Sequence, residues 1–174
     1  MQQLHQLIWK AISLAVLAAW AAPFVGLLVT RDAAYLWLAA GVMALEASAR
    51  ALHAIPVSLS PLLKRPSGAR DCSGFNGGGA CGGKNGMPSG HVAIVAFAAF
   101  GTLAIEGASS WSWLKATGAA VLVLAVAASR VALRCHTVLQ TVAGAALGGL
   151  LALLLMFIRR QSKKNHDVQL PLCK

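Results

Sequence analysis

Met87-Pro88-Ser89-Gly90-His91 joins a glycine-rich polar loop to an apolar run that continues to Gly101. Pro88 has no amide hydrogen and disfavours helix in the residue before it. Ser89 is a good N-cap, so the pattern predicts a helix that starts here. Its first amide groups and the positive end of its dipole would face water, which makes an anion site. A histidine in that first turn, beside a bound phosphate, can give a proton to a leaving oxygen. Taken alone the pentapeptide is equally well a capped helix with a solvated histidine. The remainder of the chain decides between the two.

At 174 residues a single domain is expected. The hydrophobic share is 57% and the charged share 11%, a balance that belongs in a bilayer rather than in a soluble domain. The formal net charge of +10 suits anionic headgroups and phosphate substrates. Nucleic acid is not expected as a partner, because the basic residues sit in short loops between apolar segments. The cysteines form no CxxC pair, which argues against a zinc knuckle. No cleavable leader is evident before the first apolar run, which is read as its own anchor.

Five apolar segments approach the roughly 20 residues that cross a bilayer. They cover about Leu7 to Val29, Ala33 to Ile55, Pro88 to Glu106, Leu114 to Leu133 and Thr137 to Ile158. The fold expected is therefore an all-α integral membrane bundle, a single domain of about five transmembrane helices with the active site at one membrane face. Pro23 is the natural place for a kink in the first span. Tyr35, Trp37, Trp111 and Trp113 are placed as interfacial anchors. Glu46 and Arg50, four apart in the second span, read as a pair that neutralises itself. Pro56 and Pro61 stop that helix and leave Val57 to Leu63 at the interface. Gly144 and Gly148 make a small-xxx-small step in the last span, a packing feature. His5, His53 and His166 read as solvated or interfacial.

Between spans two and three the composition changes. Eight of the twenty residues from Ser67 to Gly86 are glycine, with Lys64, Arg65, Arg70 and Lys84 interspersed. Gly78 to Asn85 resembles a P-loop but falls one residue short. Asn85 replaces the magnesium-binding hydroxyl and no strand precedes it, so nucleotide binding is rejected. The loop can still fold its amides around an anion. By parity, five spans put this loop and the turn between spans four and five on one side. Arg65, the Ser89–His91 helix start, Arg130, Arg134 and His136 then share a membrane face. Two histidines and several arginines there suit phosphoryl transfer: one imidazole attacks phosphorus, the other protonates the departing oxygen, and guanidinium forks hold the phosphate.

These residues, in this order, resemble the type-2 phosphatidic acid phosphatase superfamily. The matching motifs are Arg65-Pro66, Pro88-Ser89-Gly90-His91, and Ser129-Arg130 followed after five residues by His136. The resemblance spans about Lys64 to Leu150. It departs from the family pattern at Ser58, where a lysine is expected, and at Gln140, where an aspartate is expected. Lys64, Lys84 or Arg70 would then supply the missing charge. Gln140, with Gly86-Met87 and Thr137, looks like the dolichyl (polyprenyl) diphosphatase branch. Carried over, the resemblance implies His136 as a nucleophile forming a phosphohistidine, and His91 as the acid for the leaving group and then the base for water. Arg65, Ser89, Gly90 and Arg130 would bind phosphoryl oxygens, and Gln140 would orient His136 through its carbonyl. Arg134 and Lys84 are assigned to a second phosphate on charge alone. Family members are metal-independent, implying no cofactor. Many have six spans, implying that one N-terminal helix is missing here.

Arg31, Lys115, Arg159, Arg160, Lys163, Lys164 and Lys174 lie opposite the site. The cluster next to the last span sets a cytoplasmic C-terminus and a lumenal or extracytoplasmic site, as in the endoplasmic reticulum or its equivalent. On that side Cys72 and Cys81 are expected to pair, Cys135 to serve packing, and Cys173 is not placed. The substrate expected is a polyprenyl diphosphate, hydrolysed to the monophosphate. The alternatives are a broader phosphatidic acid or lipid phosphate phosphatase, and a lipid-phosphate-binding membrane protein with weakened turnover.

Overall fold

The computed structural model describes residues 2–70, 72–73, 79–106 and 113–169. Trp111, Cys173, Lys174 and part of the glycine-rich loop lie outside them, as do the side chains of Lys163, Lys164 and His166. Six α-helices follow in order: α1 (Gln2–Ser13), α2 (Ala15–Thr30), α3 (Ala34–His53), α4 (Gly90–Glu106), α5 (Trp113–Ala132) and α6 (Val138–Gln169). No strand is present among the described residues.

The first apolar run folds as two helices, with the break at Leu14 rather than at Pro23, which α2 carries in its interior. Ser13, the last residue of α1, is fully buried. A polar side chain in an apolar run needs a polar partner, and the partner proves to lie on α5. After α3, Pro56 and Pro61 divide the chain into two short 3₁₀ turns, Val57–Leu59 and Pro61–Leu63. Proline cannot continue the hydrogen-bond ladder of a helix, and Ser60 Oγ caps the second turn by accepting from Leu62 N at 3.3 Å. The glycine-rich segment then folds back on itself through isolated bridges, Lys64 with Asn85 and Arg70 with Ala80.

Helix α4 is the one the others enclose, touching α2, α3, α5 and α6. Its run from Val92 to Ala98 is buried on all sides, which is why this stretch is apolar without periodicity. The closest packing is on α6. A Cβ on Gly144 would lie 2.5 Å from the Ser89 carbonyl oxygen, and one on Gly148 would lie 2.2 Å from that of Ala93. Only glycine permits that approach, so the small-xxx-small step does pack helices.

Residues 3–30, 113–132 and 138–162 form helices long and apolar enough to cross a membrane. Helix α4 is shorter at 17 residues, and α3 carries Glu46, Arg50 and His53. Large apolar side chains such as Leu28, Val29, Leu124 and Leu150 point outward, the inverse of a soluble surface. The molecule is an all-α membrane bundle. Helix α6 runs eleven residues beyond Ile158, with Arg159 held by Asp32 at 2.6 Å. Glu46 and Arg50 pair at 2.7 Å, as expected, but Arg50 faces outward with 78% of its side chain exposed. It lies within a turn of the helix end, where a long side chain can reach the interface.

Candidate active site

Helix α5 ends in a tight reversal. Arg134 takes a left-handed conformation (φ 56°), and the amides of Cys135 and His136 both return to the Arg130 carbonyl, at 2.9 and 3.2 Å. The reversal directs His136 inward, where it is 2% exposed. Its Nδ1 lies 2.9 Å from the carbonyl oxygen of Gly86. A carbonyl only accepts, so Nδ1 carries the hydrogen and Nε2 keeps its lone pair. That Nε2 lies 3.3 Å from Arg65 Nη1. Burial first, then the positive charges of Arg65 and Arg130, hold the His136 pKa well below the ordinary histidine value. The imidazole is therefore neutral near pH 7, with its free lone pair beside a guanidinium.

Both cations of the site are fixed largely by dipoles. Arg65 donates through Nη1 to the Cys135 carbonyl at 3.2 Å and through Nε to the Asn85 carbonyl at 3.3 Å. Arg130 is fully buried. It donates through Nη1 to Ser13 Oγ and through Nη2 to the Cys72 carbonyl at 2.9 Å. Carbonyls and a hydroxyl accept these hydrogen bonds and so fix the direction in which each guanidinium points.

The start of α4 completes the arrangement. Ser89 stands at the position before the helix, and its amide donates to the Gln140 carbonyl at 3.0 Å. Its hydroxyl does not cap the helix: Ser89 Oγ is buried with no partner, and so is His91 Nε2. Leaving a buried polar atom unpaired costs about 1–3 kcal/mol, so two together at a helix N-terminus mark a place built for a polar ligand.

Several expectations are corrected. Gln140 is fully buried and does not reach the His136 ring: its Oε1 accepts from Thr137 N at 3.1 Å. Its amide nitrogen lies within reach of three carbonyls, those of Leu62, Leu63 and Lys64, at 3.3, 3.2 and 2.9 Å. The Gly86 carbonyl does the orienting instead, because a glycine without Cβ lets the loop lie against Arg65 and Gln140. The Cys72–Cys81 pairing is also corrected. Cys72 bonds Cys135, with Cα atoms 5.4 Å apart, and Cys81 is free. The Arg70–Ala80 bridge turns the loop so that residue 72 meets the end of α5. Lys64, Lys84 and Arg134 stand exposed at the rim. No hydrogen bond ties their side chains to the central groups among the described residues.

Three participants were not anticipated. His53 Nε2 lies 3.1 Å from the Pro88 carbonyl, and its ring centroid is 6.4 Å from that of His136. Its position just before Pro56, on the loop's side of the membrane by parity, was the available signal. Asn85 donates to the Leu52 and Ile55 carbonyls at the end of α3, at 2.8 and 3.4 Å, and accepts from Met87 N at 2.9 Å. Ser13 was a polar residue inside an apolar span. His5, by contrast, only accepts from Trp9 Nε1 at an exposed site.

Two imidazoles, two guanidiniums and the Ser89 hydroxyl thus come from three separate stretches of chain, at residue 65, residues 89–91 and residues 130–136. The PAP2 superfamily profile matches residues 34–164, which take in every one of these groups. No curated protein and no solved structure matches the chain. The match covers most of the sequence, and the chain belongs to the PAP2 superfamily, a family of membrane phosphatases that act on lipid phosphates.

Proposed function

We propose that the chain hydrolyses a polyprenyl (dolichyl-type) diphosphate to the monophosphate and inorganic phosphate, through a phosphohistidine on His136 and without a metal. The observation that carries this reading is the protonation pattern of His136: hydrogen on Nδ1, lone pair on Nε2, with Nε2 beside Arg65. In the first step Nε2 attacks the terminal phosphorus. The N–P bond forms as the bridging P–O bond breaks, and the departing lipid monophosphate takes its proton from His91. In the second step His91 takes a proton from water, whose oxygen attacks the phosphohistidine and releases phosphate. Arg65, Arg130, Ser89 Oγ and the amide of Gly90 hold the equatorial oxygens, where the transition state carries its charge.

In this reading Gln140 is a positioning residue. It fixes the carbonyls of residues 62–64 next to Arg65, while the rim cations Lys64, Lys84 and Arg134 meet the second phosphate. The site faces the lumen or exterior, with the C-terminus cytoplasmic. Purified protein, assayed for phosphate release in the presence of a chelator, tests the proposal. A long-chain polyprenyl diphosphate should exceed phosphatidic acid in kcat/KM. Preference for phosphatidic acid would establish the broader lipid phosphatase instead. Binding of both with release from neither would leave a lipid-phosphate-binding protein.

A further inference from the structure

We propose that the Cys72–Cys135 cystine is a positioning element that aims both guanidiniums, and that reducing it weakens anion binding. This rests on the phosphate-site reading above. The bond joins the glycine-rich loop to the residue beside His136, across a sequence separation of 63. Each half-cystine presents its own backbone carbonyl to a different arginine. The Cys72 carbonyl accepts from Arg130 Nη2 at 2.9 Å, and the Cys135 carbonyl accepts from Arg65 Nη1 at 3.2 Å. That same Nη1 faces His136 Nε2 at 3.3 Å. One covalent link therefore joins the segment whose carbonyl orients Arg130 to the turn whose carbonyl orients Arg65 beside His136.

The two sulfurs differ in access. Cys135 is fully buried, whereas Cys72 is half-buried and open to attack. A dithiol reductant supplies the two electrons and two protons. Its thiolate attacks Cys72 sulfur, the S–S bond breaks, and the second thiol closes the reductant into a cyclic disulfide, leaving two cysteine thiols. The Arg70 carbonyl oxygen lies 3.2 Å from Cys72 Sγ and 3.5 Å from Cys135 Sγ, a ready acceptor for either new S–H group. The loop can thus stay folded while its register against Arg130 relaxes. A guanidinium that must be re-aimed when the anion arrives binds it less tightly than one already in place.

The test uses the full chain with Cys81→Ser and Cys173→Ser, so that no third thiol can exchange, purified in detergent without reductant. Inorganic phosphate is titrated by calorimetry into the oxidised protein, the dithiol-reduced protein and the re-oxidised protein. Reduction should raise the dissociation constant about tenfold, the scale of one mis-aimed charged hydrogen bond, and re-oxidation should restore it. A Cys72→Ser/Cys135→Ser double variant should match the reduced protein. Positioning is separated from general loosening with Arg130→Lys, and with Arg65→Lys should the first not fold. There reduction should change phosphate affinity clearly less than in the parent, about threefold, because one of the two aimed forks is already gone.

Equal affinity in oxidised and reduced protein would overturn the proposal. So would an undiminished redox effect in the lysine variants, or alkylation of both Cys72 and Cys135 before any reductant is added. A redox-sensitive phosphate affinity without lipid phosphate hydrolysis would defeat the function proposed above and leave this inference standing. Hydrolysis indifferent to reduction, with phosphate affinity equally indifferent, would do the reverse.

Discussion

Two turns at opposite ends of the bundle begin with the same backbone device and end in different chemistry. Helices α2 and α5 each terminate in an arginine with φ of 56°, Arg31 and Arg134. At the far turn Arg31 N returns to the Leu27 carbonyl, and the neighbouring Asp32 pairs with Arg159 of α6. Charge there meets charge, and the turn is an anchor. At the near turn the reversal buries His136 and presents the Cys135 carbonyl to Arg65. Guanidiniums there meet carbonyl and hydroxyl dipoles, which orient them. Left-handed arginine is thus a way of ending a helix, and function comes from what the next two residues are packed against.

The sharpest way to break that contrast is to remove the side chain that distinguishes the near turn. His136→Ala should lower phosphate release by at least about a thousandfold, the scale of losing a nucleophile. Asp32→Asn at the far turn should leave the rate unchanged and cost about 1 kcal/mol in denaturant unfolding. An active His136→Ala enzyme would remove the assigned nucleophile. Next in size is Arg65→Ala, expected to reduce kcat/KM by roughly a hundredfold, as loss of one oxyanion donor does. Its effect should fall mainly on kcat if Arg65 acts on the transition state, and a change confined to KM would make it a ground-state anchor.

The near end also carries a pH dependence of definite sign. His136 has its pKa lowered well below 6.5 by burial and by Arg65 and Arg130. The unfolded chain binds a proton near 6.5 that the folded chain refuses, so this stability is present above that pH and is lost as pH falls towards the folded value. The loss should be about 1 kcal/mol per pH unit just below 6.5, read from unfolding midpoints. His136→Gln should flatten it, and a parent protein that gains stability on acidification through this range would contradict the assignment. The smallest effect is conformational. Arg31→Gly and Arg134→Gly should each relieve left-handed strain of about 1 kcal/mol. Only Arg134→Gly should also raise KM for a diphosphate relative to a monophosphate, and equal KM changes would take Arg134 out of the substrate site.

Much of this arrangement was legible in one dimension. The apolar runs foretold the helices, because a bilayer demands roughly twenty apolar residues per crossing. The α4 start followed from Pro88, which acts within a few positions, although Ser89 does not cap it as its residue type suggested. The pairing of Glu46 with Arg50 followed from helical spacing. The less legible features all depend on partners distant in sequence. His53 and Ser13 read as bland residues because their partners, Pro88 and Arg130, lie 35 and 117 positions away. Gln140 was expected from the family resemblance to serve His136, yet the loop carbonyls of residues 62–64 reach it first.

By itself, then, the sequence determined that the chain is a helical membrane protein, where its helices begin, and which residue types could carry phosphoryl transfer. Those properties are set by local propensity and by hydropathy. Tertiary structure alone decided which nitrogen of His136 is free, which carbonyl orients it, which cysteine closes on Cys72, and that the Ser89 hydroxyl does not cap its helix. Each of these is a choice among competing hydrogen-bond and covalent partners, and that competition is resolved only when separate segments are brought to one place.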